Sequence, residues 1–264
     1  MLHNLRHLLR YRGLVQSLVA RELKARYRGS VLGFFWSFIN PLLLLLIYSF
    51  VFTTVMPNRV EGVQPYALFM FCGILPWTWF SSSLSEASGS LISGGNLIKK
   101  VLFPAEILPI VSVLANMAHF FLGLPILVAF LVAYRHPPDA WDLVWFPIAV
   151  LVQLVFTSAL ALIVSALAVH FRDIRDILAN LLTLWFFATP IIYPWFQPGL
   201  ERFKVLFALN PFTHLAISYQ EILFFNGAIG HWRWLLALGG ASVVLFLAGY
   251  WFFDRLRDSF AEEV

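Results

Sequence analysis

Hydrophobic positions in this chain come in long unbroken blocks, unlike the alternation of a strand or the narrow stripe of a soluble helix. Six stretches contain no Asp, Glu, Lys or Arg: 29–58, 62–85, 107–134, 143–171, 177–200 and 234–253. A helix rising 1.5 Å per residue needs about 20 mainly apolar residues to cross roughly 30 Å of hydrocarbon, and each stretch is long enough. The pattern predicts an all-α membrane protein with six transmembrane helices at about 31–56, 64–88, 107–134, 143–169, 174–194 and 233–253, one transmembrane domain over 29–264.

Two segments break this pattern. Between the last two blocks, 205–220 is uncharged but too short to span, and Asn210-Pro211 interrupts it. We expect outer re-entrant or interfacial helices within about 195–230, with a seventh span as the alternative. Ahead of the first block, His3, Arg6, Arg10, Gly13, Ser17, Arg21, Lys24 and Arg28 recur every three or four residues, opposite Leu5, Leu8, Leu14, Val15, Leu18, Val19 and Leu23. That spacing predicts an amphipathic interface helix over 1–28, with Glu22 and Arg26 as an i,i+4 pair. Its apolar side would lie at the headgroup boundary, and its basic side would face anionic lipid or a cytoplasmic partner.

Composition agrees with a membrane protein. The chain is 60% hydrophobic and only 12% charged, where a soluble domain carries about 25% charged residues. The net charge of +4 is distributed as a membrane protein requires, so nucleic acid is not implied as a partner. With the N-terminus assigned to the cytoplasm, thirteen Lys and Arg fall on inner segments and five on outer ones, which places both termini in the cytoplasm. The first apolar run begins too late and runs too long for a secretory signal. Cys72 is the single cysteine, so no intrachain disulfide can form, and no histidine pair has metal-ligand spacing on one helix.

The run Arg21-Glu22-Leu23-Lys24-Ala25-Arg26-Tyr27-Arg28-Gly29-Ser30-Val31-Leu32-Gly33, followed by Trp36 and Asn40-Pro41, resembles the N-terminal signature of the ABC-2 type permeases that export polysaccharides. Phe171-Arg172-Asp173-Ile174 and Asn210-Pro211-Phe212 extend the resemblance over essentially the whole chain. It implies a bacterial inner-membrane half-transporter: a homodimer of the permease that pairs with two copies of a separate ABC ATPase and exports a lipid-linked polysaccharide. O-antigen is the leading substrate, with teichoic acid or capsule polysaccharide as alternatives. The resemblance also implies an interface helix near the ATPase, a coupling helix between spans two and three, and outer re-entrant helices before the last span.

No segment satisfies the phosphate-cradling pattern G-x-x-x-x-G-K-[ST]; in Gly94-Gly95-Asn96-Leu97-Ile98-Lys99 the glycines and lysine are wrongly spaced. ATP and magnesium are therefore expected on the partner, with no cofactor and no catalytic residue here. Contact with that ATPase is expected from Arg21, Lys24 and Arg28 of the interface helix, from Lys99, Lys100 and Phe103 of the 94–106 loop, and from Arg172 and Asp173. Structural alternatives are an ordinary positive-inside loop at 94–106 and helix capping at Arg172 and Asp173.

For the conduit, Phe38, Tyr48, Phe52, Trp185, Phe186 and Tyr193 are deep aromatics whose faces could stack on pyranose rings. Ser85 lies on a face of small hydroxyl residues with Ser81 and Ser88, and helix packing is the competing explanation for both groups. Glu86, costly in lipid, should face protein, water or the interface. An ion-coupled secondary transporter would show paired charges at mid-membrane, and a membrane enzyme would show a nucleophile with its base. Neither constellation is visible.

Overall fold

The computed structural model describes residues 11–26, 28–55, 62–99, 103–135, 137, 142–225 and 228–263, all helix or connecting loop with no strand among them. Five helices are long and apolar enough to cross a membrane: Trp36–Val55, Tyr66–Ser93, Ile107–Ala133, Asp142–His170 and Trp232–Arg257. In chain order the elements are α1 (Arg12–Arg26), α2 (Trp36–Phe50, closing with a π turn over Val51–Val55), α3 (Tyr66–Ser93), α4 (Gly95–Ile98) and α5 (Ile107–Ala133). They continue with α6 (Phe146–His170), α7 (Ile174–Phe187), α8 (Lys204–Leu209), α9 (Pro211–Leu223) and α10 (Trp232–Glu263).

The central helix is α3, apolar around its first half and buried along most of its length against α5, α6 and α9. Its Trp79 donates an indole N–H to the Val113 carbonyl of α5 at 3.1 Å. The most extensive helix pair is α6 with α10, and glycine permits its close approach. A Cβ on Gly249 would sit 3.0 Å from the Ala159 carbonyl oxygen, and one on Gly239 would sit 3.1 Å from a Val152 methyl. Small residues let membrane helices approach at backbone distance. Gly249→Val is therefore expected to separate α6 from α10 and cost about 1–3 kcal/mol, read as a lower thermal midpoint of the detergent-solubilised protein.

Three elements differ from the sequence expectation. First, α7 ends at Phe187, whereas the charge-free run suggests a span to 194. Its 14 residues rise only about 21 Å. It stops because Thr189-Pro190 follows: a residue before proline is pushed out of the α region, and proline has no N–H to give. Second, α10 does not stop at the end of its apolar stretch but continues through Arg255 and Arg257 to Glu263. Third, α1 packs lengthwise on α5, with Leu14, Val15, Leu18 and Val19 against Ile107, Val111 and Phe103. The expected apolar side exists, but protein covers it where a headgroup boundary was expected. The first ten residues of the anticipated 1–28 helix lie outside the described residues.

The 195–230 region contains two short helices, α8 of 6 residues and α9 of 13, broken at Asn210-Pro211. Almost every side chain of α9 is buried, lodged among α3, α6 and α10.

Candidate functional site

Two ends of the bundle carry its chemistry. At the first, α1, α4, the 94–106 loop, the α6–α7 junction and the tail of α10 meet. Glu106, buried at 3% exposure, accepts from the Tyr250 hydroxyl at 3.5 Å and faces Arg257 at 3.9 Å, tying α10 to the start of α5. His170 meets Ser259 at 3.0 Å, securing the same tail to α6. The start of α1 and the tail of α10 thus reach one face.

Arg21, Lys24, Lys99, Arg172 and Asp173 are exposed on the elements of this end, a mainly basic surface, and Arg28, beyond the end of α1, is exposed as well. Phe103 is half-buried among residues of α1, α5 and α10, which leaves much of its ring engaged by its own chain. Lys100 lies outside the described residues. Asp173 flanks the start of α7 but donates or accepts no side-chain capping bond there.

The strongest polar cluster joins three helices. Arg26, the last residue of α1, pairs with Glu86 of α3 and donates to the Asn116 Oδ1 of α5 at 3.1 Å. The Asn116 amide donates in turn to Glu86 at 2.7 Å. Arg26 therefore chooses a partner 60 residues away over the i,i+4 neighbour Glu22 that the helix pattern suggests. Glu86 faces protein, as its cost in lipid demands.

This cluster separates two cavities. One, of about 840 Å³, includes Ser85, Glu86, Arg21 and Arg175 in its lining; the other, of about 390 Å³, includes Arg26, Asn116, Trp36, Asn40 and Trp79.

The deep aromatics do not converge on one cavity within a single chain. Trp185 and Phe186 pack on Trp77, with centroids at 6.4 and 5.7 Å, and Trp185 also meets Phe80 at 5.2 Å. Tyr48 and Phe52 continue as a ladder onto Tyr66, while Tyr193 packs on Phe207 and donates to the Phe187 carbonyl at 2.9 Å. Phe38 is half-buried on α2. Trp185 borders a shallow cavity of about 310 Å³ between α7 and α8. Ser85 lines the cavity of about 840 Å³.

At the opposite end, half-length helices must satisfy their own broken ladders. Asn210 does this for both α7 and α9. Its Oδ1 accepts from Trp185 Nε1 at 2.7 Å and from the Phe212 N–H at 3.0 Å, and its amide donates to Ala188 O at 3.2 Å and Thr189 Oγ1 at 2.9 Å. Gln220 of α9 donates to Pro190 O at 3.0 Å, beside Gly73, where any Cβ would lie 3.2 Å from that amide. The sequence flagged Asn210-Pro211-Phe212 by resemblance; it held no signal for the Gln220 and Gly73 contact.

Beside this plug, His214 Nε2 donates to Ala208 O at 3.0 Å, which leaves Nδ1 to accept from His231 Nε2 at 2.8 Å. The His214 ring stacks on Trp234 with centroids 4.8 Å apart. Burial, then the neighbouring His214, hold His231 from its ordinary 6.5 down to about 4, and burial also lowers His214. The unfolded chain then takes up these protons first, so the stability of the neutral pair is complete above pH about 6.5 and is lost as pH falls toward 4. Glu221, raised by burial and by nearby Asp142, acts in the opposite sense. His231 carries the large shift of the three, so this site should lower the thermal midpoint between pH 7 and 4.5, and His231→Gln should flatten that fall. An unchanged slope in the variant would locate the titration elsewhere.

Membrane-length helices packed around α3, with half-length helices lodged at one end and a basic surface at the other, define a multi-pass helical membrane protein. The chain belongs to the ABC-2 type transporter family, whose description matches residues 13–224. It is 44% identical to the "O-antigen export system permease protein RfbA" of Myxococcus xanthus, over all of both chains. It is 35% identical to the Klebsiella pneumoniae protein of the same name, over 92% of this chain and 91% of that one. The "Polysialic acid transport protein KpsM" of Escherichia coli is more distant, at 21% over 78% and 80%.

Proposed function

We propose that this chain is the membrane subunit of an ATP-driven exporter that carries lipid-linked polysaccharide of the O-antigen type outward across a bacterial inner membrane. The observation that carries this is the 44% identity spanning the full length of an O-antigen export permease. Capsule polysaccharide relatives stand much further away.

In this reading two copies of the chain associate. On α2 the side chains of Leu43, Leu46, Ile47 and Phe50 are exposed, and on α7 Ile177, Leu181, Leu184 and Phe187 form an exposed apolar stripe. Such stripes suit either lipid or a second copy, and a conduit for a glycan needs the second copy to complete its wall. ATP binds and is hydrolysed on a separate ATPase, two copies of which sit against the basic face. Both termini are then cytoplasmic, in keeping with the charge asymmetry and with α1 and the α10 tail sharing one end.

The purified chain should hydrolyse no ATP above background, whereas inverted membrane vesicles holding chain and ATPase should take up lipid-linked glycan only with ATP. Ion-driven uptake by the chain alone would sink the reading.

A further inference from the structure

The roughly 840 Å³ cavity at the basic end falls within the size range of small-molecule sites, about 300–1,000 Å³. Its walls are not those of a lipid groove. On one side α3 presents a serine face. The Ser88 hydroxyl donates to Ser85 O at 2.6 Å, Ser90 to Ala87 O at 2.8 Å and Ser93 to Ser90 O at 3.2 Å. With each proton used on the helix's own backbone, the oxygens keep lone pairs for donors arriving from outside, which is what sugar hydroxyls are.

On the other side stands Arg175, in the first turn of α7. Its guanidinium lies flat against Gly89 of α3, where a Cβ would come within 3.2 Å of Nη2. The missing side chain at Gly89 is what admits it. Among the described residues neither Arg175 nor Arg21, which also lines the cavity, has a carboxylate within ion-pairing distance. Of the two carboxylates lining the cavity, Glu86 is paired with Arg26, so the two guanidinium charges of Arg21 and Arg175 outnumber the remaining one of Glu22. A pair of free guanidinium forks recognises a phosphate oxyanion, since the fork matches its geometry.

We propose that this cavity is a recognition site for a glycosyl phosphate. Arg175 and Arg21 hold the phosphate that joins the lipid carrier to the glycan, and the serine oxygens of α3 accept from hydroxyls of the first sugar. The inference rests on the export function proposed above and adds to it the point at which substrate is recognised. The Arg26–Glu86–Asn116 cluster forms part of the wall toward the inner cavity.

The test uses the full-length chain in lipid nanodiscs and three probes: an alkyl hexosyl diphosphate, the matching alkyl hexoside without phosphate, and inorganic phosphate. The diphosphate should bind saturably and the hexoside at least about tenfold more weakly, the loss expected for charge-assisted bonds. Arg175→Gln should weaken the diphosphate by a similar factor. Gly89→Ala should weaken the diphosphate less than Arg175→Gln does and without removing any charge, because the guanidinium need shift by only a few tenths of an ångström. Unchanged melting curves show that each variant is folded, and an Arg175→Lys variant that keeps partial binding covers the case where Gln is not. Equal binding of hexoside and diphosphate, or undiminished binding by folded Arg175→Gln, overturns the proposal. Competition by inorganic phosphate as strong as by the diphosphate also overturns it, because the site would then be one for free phosphate.

Export by the complete assembly separates the two failures. If the wild type exports glycan and Arg175→Gln exports it with unchanged substrate dependence, this site is wrong and the function stands. If the wild type exports none, the function itself fails.

Discussion

Asn210→Ala is expected to lower the stability of the folded chain by about 3 kcal/mol or more and to abolish export. The side chain is 8% exposed and all its hydrogen-bonding directions are in use. Removing it costs an N-cap, usually about 0.5–2 kcal/mol. It also strands the Trp185 indole N–H and the Ala188 carbonyl, and each buried group without a partner costs about 1–3 kcal/mol. These terms fall on one spot and do not simply add. Burial keeps bulk water from relieving them. Asn210→Asp separates the terms: its carboxylate can still accept from Trp185 and Phe212 but has no proton for Ala188 O. It should therefore fall between wild type and alanine in thermal midpoint. Equal stability of Asn210→Ala and wild type would mean that the half-helices are held by apolar packing alone.

The same residues explain what could be read in advance. Membrane-length helices were legible because an uncharged run of 20 or more residues has few other homes. The length of α7 was not, since 177–200 is charge-free for two different reasons. Its first part is a helix, and its second, over 188–200, is an uncharged loop that leads toward α8 and α9. Periodicity found the apolar side of α1 but could not say what covers it, because lipid and the start of α5 ask for the same leucines and valines. Aromatic type was silent on role. Trp185 and Phe186 suit a sugar conduit as well as they suit Trp77 and Phe80, and only their neighbours decide.

Local rules also misdirected Arg26. A helix places Glu22 one turn away, a pair worth about 0.2–0.5 kcal/mol on an exposed face. The structure offers Glu86 and Asn116 in a drier setting, where two charge-assisted bonds converge. No sequence window contains residues 60 and 90 positions away.

Because that cluster is a polar link from α1 into the bundle, Glu86→Ala is expected to release the end of α1 while leaving the membrane helices folded. The Arg26 charge would then stand beside α3 and α5 with only Asn116 Oδ1 to accept from it. Breaking a fully buried pair costs about 3–5 kcal/mol, but these side chains are 25% and 36% exposed, so water screens part of the loss. A coupling of about 1–2 kcal/mol in a double-mutant cycle is the expected size. Arg26→Ala should cost less than Glu86→Ala, since Glu86 keeps the Asn116 amide and the larger cavity. The double variant should be less damaging than the two single losses summed. Hydrogen exchange across Arg12–Arg26 reads the effect directly: protection should fall there and persist in α3 and α6. If α1 also transmits motion from an ATPase on the basic face, Glu86→Ala should leave ATP hydrolysis by the assembly largely intact while export per ATP falls. A variant that loses both together, with α1 still protected, would show that the cluster does something other than anchor this helix.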